Sequence, residues 1–192
     1  MSCVDLTKGL VANTCEQPIG GSNGRVILMN FDDIDRAALT VASGQCTALS
    51  LKSGKKGYAF TGKDDANIGS FTYSKGKYFG SYEHKITLSD FVGGAEAYEF
   101  VHQVANARLV ALVQNRDIGV AGAKKYTLYG LEAGLVMNAD SGTTEMTDSV
   151  IGAIELTSSE NSKEPNRPIN LYKTDEATTD TLVEGLIATT GA

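Results

Sequence analysis

The stretch from Leu88 to Glu132 constrains the fold of this chain more than any other. It follows a strand ending ITLSDF with a helical segment, VGGAEAYEFVHQVANAR, and a strand apolar on both faces, LVALVQN. A glycine-rich excursion, RDIGVAGAKK, then leads to a further strand, YTLYGLE. A single short helix among strands predicts a mainly β fold, a small β-sandwich or barrel with one flanking α-helix. The helix is expected over about 94–106. Ala97, Val101, Val104 and Ala105 fall at i, i+4, i+7 and i+8 and make an apolar stripe, with Glu96, Glu99 and Gln103 off it. Ser89 or Asp90 can cap its start, and Gly93 and Gly94 delay it.

The flanking segments extend the β pattern. Arg25 to Phe31, RVILMNF, is apolar on both faces and reads as a central strand. Leu39 to Val41 and Cys46 to Leu51 flank a Ser43-Gly44 turn and predict a hairpin. From Tyr78 to Leu88 the chain alternates, with Tyr78, Gly80, Tyr82, His84, Ile86 and Leu88 on one face. In Val150 to Leu156, the residues Val150, Gly152, Ile154 and Leu156 share a face. Pro165 and Pro168 then break regular structure, and Ile169 to Tyr172 is expected to add an edge strand. These readings give an N-terminal arm over 1–24 and a β domain over 25–172. An acidic, threonine-rich extension follows over 173–192, with a short apolar stretch at Leu182, Val183, Leu186 and Ile187 that predicts a docked segment. Residues 52–77 have another texture. Lys52, Lys55, Lys56, Lys63, Lys75 and Lys77 alternate with glycines, and the stretch reads as a long surface excursion carrying short β segments at Tyr58–Thr61 and Ser70–Tyr73.

A chain of 192 residues is long enough to bury one proper core. Its net charge of −6 argues against a whole-chain electrostatic binder of nucleic acid. The three cysteines, Cys3, Cys15 and Cys46, are odd in number and form no CxxC pair, so neither a disulfide framework nor a zinc site is expected. Cys3 and Cys15 could bridge, but small, partly buried thiols are the preferred reading. The N-terminus lacks the basic and apolar regions of a signal peptide, and no apolar run approaches membrane-spanning length. Folding in a reducing cytosol is the resulting expectation.

The chemistry-bearing residues do not form a known constellation. His84 and His102 stand on a strand and in the helix, without GxSxG, HExxH or a Cys–His motif, so no enzyme activity is expected. Asp32, Asp33 and Asp35 share some spacing with a calcium loop but lack its glycine, and a solvated turn is the preferred reading. GSNGR and GVAGAKK lack the lysine-containing phosphate-loop pattern, and GVAGAKK reads as a hairpin tip. No metal or cofactor is expected. Tyr73, Tyr78, Phe79 and Tyr82 lie at strand spacing and are expected to fill a core or a subunit seam.

In order and texture the chain resembles the tail tube, or major tail, proteins of tailed bacteriophages, closest to the form found in phages of Bacteroidetes-type hosts. The residues that carry the resemblance are CVDLTKGL, a glycine turn, RVILMNFDDI, KITLSDF, a short helix ending NARLVALVQN, YTLYGLEAGL and VIGAIELTSSENSKEP. They span about residues 1–172. The resemblance implies a virion structural protein that is assembled in the bacterial cytoplasm. Its subunits would form stacked, hexameric rings around a channel through which DNA passes without specific binding. Its partners would be further copies of itself and other tail or connector proteins. On this reading Lys52, Lys55, Lys56, Lys75 and Lys77 of the excursion, with Arg116, Lys124 and Lys125 of the 115–125 hairpin, are candidate subunit-interface residues, facing carboxylates of a neighbouring copy. The alternatives are another virion part, such as a capsid decoration or head–tail connector protein, and a non-enzymatic β-sandwich binding module.

Overall fold

In the computed structural model, residues 20–77, 79–90, 95–142, 152–159 and 162–188 are described. The arm up to residue 19, with Cys3 and Cys15, lies outside them, as do Tyr78, Gly93, Gly94 and Val150. The strands are β1 (Ser22–Asn30), β2 (Thr40–Ala42), β3 (Gln45–Ala48), β4 (Tyr58–Thr61), β5 (Ile68–Lys75) and β6 (Gly80–Asp90). After helix α1 (Ala95–Ala105) come β7 (Leu109–Asn115), β8 (Tyr126–Tyr129), β9 (Leu135–Gly142), β10 (Gly152–Ser158), β11 (Ile169–Leu171) and helix α2 (Glu176–Leu186).

The eleven strands hydrogen-bond into one continuous sheet that turns at one corner into two packed parts, a larger and a smaller sheet. The larger runs β4-β1-β7-β8-β11-β3-β2 and the smaller β9-β10-β6-β5. The corner is a single pairing of Leu109 with Leu135, between β7 and β9. The fold is thus mainly β, a sandwich with a flanking helix, as its residue pattern predicts. Val26, Leu28, Ala111, Val113 and Tyr129 of the larger sheet meet Ile86, Leu88, Ile154 and Leu156 of the smaller one in a buried core that Val104 of α1 also joins. The opposite face of the larger sheet carries Ile27, Met29, Val110, Leu112, Leu128 and Leu171, covered by Val183 and Leu186 of α2. Strands β1 and β7 therefore bury alternate residues on opposite faces, which is why RVILMNF and LVALVQN show no polar side.

Local chemistry accounts for the joints. Ser43 and Gly44 both adopt positive φ, at 52° and 78°, and close the β2–β3 hairpin with Ala42 opposite Gln45. Both central residues are left-handed in a type I′ turn, whose twist matches the flanking strands. The buried Asn67 ties the sheets together. Its Nδ2 donates to the Gly24 carbonyl at 2.6 Å, and its Oδ1 accepts from the Ser89 amide at 3.0 Å.

Four expectations are corrected. The 52–77 stretch is less an excursion than expected: its two β segments are present, as β4 and as a β5 longer than Ser70–Tyr73, and each supplies an edge strand. Strand β11 is internal, parallel to β3 and antiparallel to β8. In α1, Val104 is buried and Val101 partly so, but Ala105 is exposed, which narrows the expected stripe. Finally, a second helix stands in the 173–192 segment. Its sequence, EATTDTLVEGL, is poor in strong helix formers, so its stability comes from its ends and its docking. Asp175 and Thr178 form a reciprocal capping box. On its inner face Thr179, Val183 and Leu186 are buried. Lys125 meets Glu176 and Asp180 at 2.8 and 2.7 Å, and Arg25 grips Glu184 through two bonds.

Gly185 sits inside this helix with open space where a Cβ would project. Gly185→Ala should therefore stabilise the protein by about 0.5–1 kcal/mol, through lower entropy of the unfolded chain. Thermal unfolding checks this, and a lowered midpoint would contradict the account of α2.

Candidate functional site

The groups best suited to chemistry are committed to structure. His84 on β6 is 2% exposed, and its two ring nitrogens serve two loops. Nδ1 accepts from the Gly130 amide at 3.1 Å, which leaves Nε2–H to donate to the Asn166 carbonyl at 3.0 Å. Burial lowers its pKa to about 4, with the Asn166 bond acting in the other direction. Glu164, 1% exposed, accepts from the amides of Glu132 and Ala133, the latter at 2.7 Å. Burial pushes its carboxyl above the ordinary range, against the backbone amides that favour its ionised form. The same residue pairs with Tyr82 through both backbone groups, at 2.8 and 2.9 Å. Together His84 and Glu164 fasten the turn at 130–134 and the strap at 162–168 to β6. The Cys46 thiol is buried and pushed up to about 11, which leaves it in the unreactive protonated form. Asp33 accepts from Asn30 and lies 3.3 Å from Lys55, while Asp35 bonds the Ala37 amide. This is a self-satisfied turn. Among the described residues no three histidine, cysteine or acidic side chains gather as a metal site. No helix among them is long and apolar enough to cross a membrane.

What the molecule presents outward is a strand edge, a groove and a knob. Strand β5 ends the smaller sheet and, among the described residues, pairs only with β6. It is eight residues long, contains no proline, and exposes Ile68, Phe71 and Tyr73. Phe71 and Tyr73 lie opposite His84 and Tyr82 in the β5–β6 register, and so share their inner face of the sheet. Yet Phe71 is 39% and Tyr73 55% exposed, because the larger sheet does not reach over them. Their rings flank Tyr82, with centroids 6.1 and 5.3 Å away, and make an uncovered aromatic shelf.

A groove of 840 Å³ opens along this shelf. Phe71 and Tyr82 line one wall, Val41 and Gly44 of the β2–β3 hairpin another, and the strap with Asn166 and Arg167 the third. The Arg167 guanidinium lies 4.9 Å from the Phe71 ring centroid. Among the described residues no carboxylate pairs with Arg167.

The knob is the β7–β8 hairpin tip. Asp117 accepts from the Gly119 amide at 2.9 Å, the Lys124 amide donates to the Ile118 carbonyl at 2.9 Å, and a 3-10 turn spans Val120–Gly122. This bonding holds Ile118 outward at 40% exposure and Val120 at 81%.

The eight candidate interface cations fall in three places. Lys52 donates to the Asp32 carbonyl, Lys55 faces Asp33, and Lys56 donates to the Gly185 carbonyl. Lys75 and Lys77 belong to the β5–β6 hairpin. Arg116 pairs with Asp64 and Asp65, Lys124 with Asp117, and Lys125 with Glu176 and Asp180. Lys125 and its two carboxylates clamp α2 to the larger sheet. Lys52, Lys55, Lys56, Arg116, Lys124 and Lys125 thus bond within their own chain, and the partners of Lys52, Lys55, Lys56, Arg116 and Lys125 are separated from them by tens of residues or more. The shelf, the groove and Arg167 had no local signal, since Val41, Phe71, Tyr82 and Arg167 come together only through the fold. No protein-family model matches the chain, and no curated protein or solved structure matches it either.

Proposed function

We propose that the chain is a self-assembling virion structural protein, the tail tube subunit of a tailed bacteriophage, whose copies form closed rings that stack around a DNA channel. The observation that carries this reading is the outer edge of β5, an eight-residue strand that no other described strand but β6 pairs, with Ile68, Phe71 and Tyr73 exposed along it. Soluble monomers blunt such edges with prolines, bulges or inward charges, because an open edge templates pairing with another chain. This edge has no such protection along most of its length, which suits a surface meant to be covered by a neighbour. The net charge of −6 fits a channel that DNA must traverse without sticking. A heterologous contact closes into a ring when its rotation permits.

Sedimentation velocity over a range of concentrations tests the proposal. The expected result is a large, discrete species that grows at the expense of monomer. A compact trimer would point instead to a decoration protein, and a monomer at the highest concentrations to a binding module.

A further inference from the structure

We infer that the hairpin tip Asp117–Val120 of one copy docks into the groove between Phe71, Tyr82, Val41 and Arg167 of the next. This rests on the self-assembly proposed above and names the contact.

The knob and the groove each have a defect that the other repairs. Val120 is the most exposed large apolar side chain among the described residues, and Ile118 stands beside it. The tip is held in place by its own hydrogen bonds, so little freedom is lost on docking. The groove exposes inner-face aromatics that elsewhere in this sandwich are covered, as Ile86 and Leu88 on the same face of β6 are fully buried. Neither Ile118 nor Val120 lines the groove of its own chain. Two complementary surfaces on one chain that do not meet within it make a head-to-tail contact, which yields rings or filaments. Charge agrees as well. Among the described residues Arg167 at the groove has no carboxylate partner, and Asp117 at the knob holds one oxygen against the exposed Lys124 at 3.4 Å, a weak contact open to a second cation.

The experiment is sedimentation of the full chain and its variants across concentration, at low and high salt. Ile118→Asp/Val120→Asp changes exposed residues, so its thermal midpoint should stay near that of the wild type. The concentration for half-assembly should rise at least about tenfold. Arg167→Glu, which leaves the tip untouched, should weaken assembly about three- to tenfold at low salt and less at high salt. A photo-crosslinking side chain at position 120 should join residues 71, 82 or 165–170 of another copy. Wild-type assembly with an unaffected tip variant, or crosslinks confined to other surfaces, would each overturn the knob-and-groove contact while sparing self-assembly. A wild type that stays monomeric would overturn both.

Discussion

Lowering the pH from 6.5 to 4 is expected to destabilise this protein by up to about 3 kcal/mol through His84 alone. Burial holds its folded pKa at about 4, below the ordinary value of 6.5. Between these values the unfolded chain binds the proton and the folded chain refuses it, so stability falls as the pH falls. The contribution is fully present above 6.5 and lost by about 4. A charged imidazole would also lose the bond from the Gly130 amide, since Nδ1 would become a donor facing a donor. Glu164, whose carboxyl is raised by burial, acts in the opposite sense, because a raised acid favours the folded state at low pH. Asp33, Glu155 and Glu184 are lowered and lose their contributions only as the pH falls through and below the ordinary carboxylate range. The readout is therefore the difference between wild type and His84→Gln in urea unfolding at pH 7, 5.5 and 4.5. The variant should show a flatter dependence over this window, and equal slopes would remove His84 as the cause.

Glu164→Ala should cost about 1–3 kcal/mol at neutral pH, because relief of the buried carboxylate offsets part of the loss of its hydrogen bonds. The loss has two parts. The amides of Glu132 and Ala133 would be left without their carboxylate acceptor, and the removed side chain would leave a cavity beside the strap. Glu164→Gln keeps the shape and one acceptor oxygen, so its cost should be clearly smaller. Urea unfolding midpoints at constant slope measure both. A loss below about 1 kcal/mol for the alanine variant would show that the 130–134 turn does not depend on this nest.

The legible parts of the fold were those where burial imposes a pattern. Strands β1 and β7 lie in the middle of the larger sheet with both faces covered, and their continuous apolar runs say so. Strand β6 has one buried face, and its alternation at Tyr82, His84, Ile86 and Leu88 follows from that. Strands β4 and β5 are largely exposed edges, so little selects alternation; their β segments at Tyr58–Thr61 and Ser70–Tyr73 could be read, but the lysines and glycines around them hid that each completes a sheet. Helix α2 was hidden by three threonines, a valine and a glycine, although Asp175 with Thr178 and the spacing of Thr179, Val183 and Leu186 held its signature. Of the aromatics expected to fill a core or a subunit seam, Phe79 and Tyr73 are exposed in the single chain, which removes the core reading for these two. Scattered lysines drew attention as an interface. Lys52, Lys55, Lys56 and Lys125 also have partners within the chain that their spacing does not announce, and the groove arises from residues as far apart as Val41 and Arg167.

Self-assembly into rings is the central claim, and electron microscopy of the negatively stained, concentrated protein tests it most directly. The account predicts closed rings of uniform size with a central hole, and short tubes where rings stack. Fields of single, unassociated particles at every concentration, or compact trimers without a channel, would contradict it.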